Sequence, residues 1–155
     1  MKNYKDLLLY KVKRHFIEVL KTKTSDHSVA MGFAVGSFVA ILPTPGISIL
    51  IGVAIVAIFK TINKYALFSA MVVWNIWTLA PIYWASYEIG EAIFGDTEVV
   101  AFEFQQLDQV FDYTRRFMVG NLFLSIPISV LSYFLVRAAV RKYKIRRESV
   151  STKAV

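Results

Sequence analysis

The residues best placed to do chemistry are few, and they lie at breaks in apolar sequence. Thr44-Pro45-Gly46-Ile47-Ser48 separates two apolar runs. Thr caps helices well and Pro is favoured at the first helical position, so the sequence predicts a helix starting at Pro45 under a Thr44 cap. The amides of Gly46, Ile47 and Ser48 would then point out of a helix start, where partial positive charge attracts anions. Asn75 and Thr78, followed by Pro81, form a second polar break. Two interrupted apolar segments point to a transporter-like binding site between them. The candidate anion- or substrate-binding set is therefore Thr44, Gly46, Ile47, Ser48, Asn75 and Thr78. An equally weighted reading has Asn75 and Thr78 bonding to neighbouring helices, with Pro81 as a kink.

Other chemistry finds little support. Cysteine is absent, so no thiol nucleophile or thiolate metal site exists. His15 and His27 sit outside the strongest apolar runs. No nucleophile–His–acid set and no phosphate-binding glycine loop occurs. Glu88 and Glu91, three residues apart, read as a polar helix end rather than a proton relay. Arg115 and Arg116 read as partners for nearby acids or lipid headgroups rather than a phosphate site. The expectation is a protein that is not an enzyme, with no catalytic residue, metal or cofactor.

The elements that must position these residues belong to a membrane protein. Of the 155 residues, 56% are hydrophobic and only 19% are charged, below the roughly 25% of soluble domains. Mean hydropathy is +0.51. The apolar excess is concentrated in residues 29–94 and 117–140. Runs 29–42 and 47–59 each reach only about 20 Å, short of the roughly 30 Å hydrocarbon core. That length favours a re-entrant hairpin over two thin crossings. Run 65–94 exceeds one crossing and contains the Asn75 break, which predicts a second break or hairpin. Residues 117–140 read as one transmembrane span, with Pro127 as a kink. Residues 3–22 read as a basic amphipathic helix on the cytoplasmic leaflet or packed on the protein, and 99–111 as an external surface helix. The tail from Arg146 is expected to be disordered. No ordinary secretory signal is expected, because the first apolar run follows a long basic stretch.

Charge orients the chain. The net charge is +7. Basic residues crowd the first 25 positions and the tail, while residues 96–114 hold five acids and no basic residue. Basic ends around an acidic middle fit the positive-inside rule better than a nucleic-acid-binding face. Both termini are expected in the cytoplasm. The predicted organisation is a cytoplasmic helix (1–25), a membrane domain (26–140) with an external acidic segment (96–114), and a basic cytoplasmic tail (141–155). The fold class is all-α and integral to the membrane, with short interrupted helices or re-entrant hairpins and a C-terminal span.

Ser28, Gly32, Gly36 and Ala40 recur every four residues and make a stripe along which helices can approach closely in lipid. Packing between the two arms of the first hairpin is the preferred reading; a homo-oligomer face is the alternative.

Several of these residues together resemble a known bacterial membrane family, domain of unknown function 2062. The resemblance rests on Gly32-Phe33-Ala34-Val35-Gly36-Ser37-Phe38, on Pro43 to Gly46, and on Asn63. It continues through Asn75, Thr78, Pro81 and Tyr83 to Tyr87 and Gly90. It covers 25–95, and Ile76 stands where the family pattern has Pro. The resemblance implies a multi-pass protein of the bacterial inner membrane and no particular activity. By analogy of fold alone, polar-tipped hairpins are similar to those of polyprenyl-phosphate flippases. The leading expectation is binding or translocation of an anionic lipid or small anion. The alternative is a non-catalytic scaffold or accessory protein of a membrane complex. Membrane lipids are the expected partners, and nucleic acid is not.

Overall fold

The computed structural model describes residues 25–44, 46–95 and 105–152. The predicted N-terminal amphipathic helix, Pro45 and residues 96–104 of the external acidic segment lie outside the described residues. The described residues form five helices, in order α1 (Asp26–Ile41), α2 (Ser48–Ile58), α3 (Lys64–Val73), α4 (Ile76–Phe94) and α5 (Gln105–Thr152). Among the described residues there is no strand.

Local chemistry sets the boundaries. The Ser25 side chain accepts from the Ser28 N–H at 3.1 Å and starts α1. Leu42 precedes Pro43 and is extended, as a residue before proline must be, so α1 stops there. Asn63 caps α3 by accepting from the Ala66 N–H at 3.0 Å. Asn75 caps α4 by accepting from Trp77 and Thr78 amides at 3.0 and 3.4 Å. The axis turns by 75° between α3 and α4. The second break therefore falls at Trp74-Asn75. Pro81 is inside α4, not at the break.

The helices meet through small residues. A Cβ at Gly32 would strike the Asn63 carbonyl, and one at Gly36 the Leu67 carbonyl. The stripe thus lets α1 lie against α3. Its contact with α2 is slight, which corrects the expectation of two tightly packed hairpin arms. The Ser28 hydroxyl and carbonyl complete this seam: the hydroxyl donates to Thr61 O, and the carbonyl accepts from the Asn63 N–H. A second crossing joins α4 to α5, where Gly90 meets the Arg116 backbone and Gly120 the Ser86 backbone. At both places the obstacle would be backbone, which cannot rotate away.

α5 is the longest element, with 48 residues and a length of about 72 Å. α1 runs antiparallel along one part of it. Asp26 pairs with Lys144 at 2.5 Å, His27 bonds to the Tyr133 hydroxyl at 2.7 Å, and Ile41 lies at Asn121. α4 runs antiparallel along the part before that. The helix continues without interruption from Gln105 through the apolar run to Thr152, so residues 146–152, part of the tail expected to be disordered, are helical.

The burial pattern of α5 is the reverse of a soluble helix. Asn121, Ser125, Ser129 and Ser132 are buried, while Leu122, Phe123, Ile126, Val130, Leu131, Phe134 and Leu135 are all exposed. α5 is also the one helix among the described residues that alone is long and apolar enough to cross a membrane. The bent pair α3–α4 passes the same test together.

Gly120→Ala should destabilise the protein by about 1–3 kcal/mol through overpacking. Gly46→Ala, at φ 79 but with open space around it, should cost only about 1 kcal/mol. Thermal unfolding in detergent should therefore show the larger drop for Gly120→Ala. Equal midpoints for the two variants would contradict the close crossing.

Candidate functional site

A cleft of about 660 Å3 lies where the end of α1, the start of α2, the second half of α3 and the opening of α4 meet α5. Thr44, Gly46 and Ser48 form one side of it. Phe68, Met71, Trp74, Tyr83 and Phe117 form much of the rest. Among the described residues, no charged one lines it. Tyr83 and Phe117 meet edge to face at 5.2 Å and fix the α4–α5 wall.

The turn beside the cleft differs from the predicted helix start. α2 begins at Ser48, and Ile47 at its N-cap position has no side-chain cap bond. Thr44 does not cap α2. Its carbonyl accepts from the Ile47 N–H at 3.2 Å and from the Ser48 hydroxyl at 2.9 Å. The Thr44 and Ser48 hydroxyls lie 2.8 Å apart. A turn fills this place because Gly46 adopts a φ of 79, which L side chains rarely reach. The Ile47 amide is thereby spent inside the turn.

The six candidate residues divide. Thr44, Gly46 and Ser48 share the cleft wall, while Ile47 is exposed beside it. Asn75 and Thr78 are exposed at the α3–α4 bend, and neither lines the cleft. Both work on the bend itself. Asn75 caps α4, and the Thr78 hydroxyl donates to Asn75 O at 2.9 Å and Val73 O at 3.1 Å. Their neighbours Trp74 and Leu79 are the ones that reach the cleft.

Asn121 was not among the candidates, yet it holds the end of α1 in place. Its Nδ2 donates to Ile41 O at 3.2 Å and to the Ser86 hydroxyl at 3.4 Å. The first bond satisfies a carbonyl that the end of α1 leaves open. The Ser86 hydroxyl donates in turn to Ile82 O at 2.7 Å. Three helices are tied at one buried point. The available signal was the polar spacing Asn121, Ser125, Ser129 and Ser132 within run 117–140, at steps of four, four and three.

Beyond the cleft, the end of α4 and the early turns of α5 carry paired charges. Arg116 meets Glu91 at 3.8 Å and Arg115 meets Asp112 at 3.2 Å. The Arg115 guanidinium also lies over the Phe94 ring at 4.4 Å. Tyr87 and Tyr113 stack beside them at 5.4 Å.

The Asn121 Oδ1 has no donor among the described residues. Asn121→Leu should therefore remove one unmet acceptor while freeing another at Ile41, for a net loss of about 1 kcal/mol. Asn121→Asp should cost more, because it sets a buried carboxylate against that same carbonyl. Unfolding in detergent should rank the variants wild type, Leu, Asp; a more stable Asp variant would contradict the clamp.

No curated protein and no solved structure matches the chain. One family model does, that of the uncharacterized protein conserved in bacteria (DUF2062), over residues 10–149. The chain belongs to that family.

Proposed function

We propose that the chain is a multi-pass membrane protein, without catalytic activity, that binds the hydrocarbon portion of an anionic lipid in the cleft beside the α1–α2 turn. Holding such a lipid is a step in its translocation or delivery. The observation that carries this reading is a cleft whose described lining is uncharged and mainly apolar, on a helix bundle whose large apolar side chains face outward.

The inverted burial of α5 supports the membrane setting. In water, large apolar side chains are driven inward. In lipid that drive vanishes, so small and polar groups make the helix contacts and apolar groups face the tails. The most apolar stretch of α5 is only 28% buried, unlike the core helix of a soluble protein. Between Arg116 and Arg137 it runs for 20 uncharged residues, about the length of one crossing. α1 lies along this run and ends at Asn121, about 7 Å short of the Arg116 level. The α1–α2 turn and its cleft then sit within the apolar layer, near its Arg115–Arg116 side. The basic ends favour both termini in the cytoplasm of an inner membrane.

An apolar lining favours a lipid chain over a free small anion. Burying an anion there would need compensating charge, and the described lining is mainly apolar, with the Ile47 amide already bonded to Thr44 O. A negative headgroup would remain outside the cleft. The scaffold reading draws on α2, where only Gly52 is buried and Ile49, Leu50 and Val53 are exposed.

Photo-crosslinking with a lipid carrying a diazirine on its chain tests the proposal. The wild-type chain should be labelled on peptides containing Phe68, Met71 or Phe117. Ile49→Trp fills the cleft from an exposed position and should reduce that labelling about tenfold without lowering thermal stability. Labelling unchanged by Ile49→Trp, or spread evenly over the outer face of α5, would favour the scaffold.

A further inference from the structure

The two ends of α5's apolar run treat their cations in opposite ways. Arg115 and Arg116 are mostly buried and paired with Asp112 and Glu91. At the other end Arg137, Arg141, Lys142 and Arg146 are all exposed. They surround a concavity of about 740 Å3 together with Phe134 and Ile145. Among the described residues, the ion pair at this end is Lys144 with Asp26, which faces α1 and lies outside the concavity. The Arg137 guanidinium donates to the Tyr133 hydroxyl at 3.2 Å, a neutral partner that leaves its charge uncompensated.

We infer that this face binds the phosphate of an anionic phospholipid headgroup. The partner must be amphipathic, because Phe134 and Ile145 interleave with the four cations and are 59% and 57% exposed. The face is also continuous with the outward apolar surface of α5. A phosphate there would sit level with the cations while its acyl chains run along Phe134 and the apolar residues before it. A nucleic acid would match the charge but would leave these apolar groups unused. The inference is independent of the cleft and of what the cleft holds.

The test uses the full chain purified in a neutral detergent and titrated with phosphatidylglycerol or phosphatidylcholine. Retained lipid is counted by native mass spectrometry. Each exposed cation near such a surface contributes roughly fivefold in binding. The wild-type chain should therefore retain phosphatidylglycerol over phosphatidylcholine by about tenfold or more, and salt should weaken that preference. R137Q/R141Q/K142Q/R146Q should abolish the preference. R137K/R141K/R146K should keep it, since the recognition is of charge. Should the quadruple variant fail to fold, R141Q/K142Q should still reduce the preference several-fold. The inference is overturned if the glutamine variants keep the wild-type preference. It is equally overturned if an oligonucleotide displaces the bound phosphatidylglycerol while zwitterionic lipid binds as well as anionic.

Discussion

Helix contact through small and polar surface is the constraint on which the other features depend. Gly32 and Gly36 let α1 rest on the α3 backbone, and Gly90 and Gly120 let α4 rest on α5. Dispersion forces fall off steeply with distance, so short helices gain enough contact only when their backbones come close. α1 has 16 residues and α2 only 11, and neither carries a distinct apolar face. They are held by close approach and by local polar bonds, such as the Ser28 staple to the α2–α3 loop. The large apolar side chains are thereby left on the outside.

This arrangement makes α5 the mast of the molecule. α1 packs along its later part and α4 along its earlier part, while α3 lies against α1. Asn121 stands where the two regions meet and ties Ile41 of α1 to Ser86 of α4. Because α1 stops at this level, the chain must turn back there, and the cleft opens beside the turn. The cleft is thus a consequence of ending a short helix inside a taller bundle. Its walls come from five helices, so it depends on both glycine crossings at once.

Much of this was legible in the sequence because it depends on local pattern. The small stripe, the first break after Leu42, the Asn75 break and the long apolar last helix all rest on residue types within a few positions of each other. The partner of the stripe was not legible. Periodicity shows that one face is small but not which helix lies on it, and α3 rather than α2 does. The predicted cap at Thr44 failed for a related reason. Thr44, Gly46 and Ser48 can make either a capped helix start or a closed turn, and the positive φ of Gly46 selects the turn. Asn75 and Thr78 were recognised as polar and placed at a break, but their bonds go to the break itself. Asn121 was overlooked because one amide in an apolar span carries little signal until the serines at the same spacing are counted with it.

The central claim is that α5 crosses the bilayer with its apolar face toward lipid. The direct measurement is labelling of single cysteines at Thr114 and Ser149, in a chain with no cysteine of its own, by a membrane-impermeant reagent. Sealed vesicles of known orientation are labelled before and after permeabilisation. The account predicts that Thr114→Cys and Ser149→Cys react from opposite faces, with Ser149→Cys on the cytoplasmic side. Labelling of both from one face would contradict it, as would recovery of the protein in the soluble fraction.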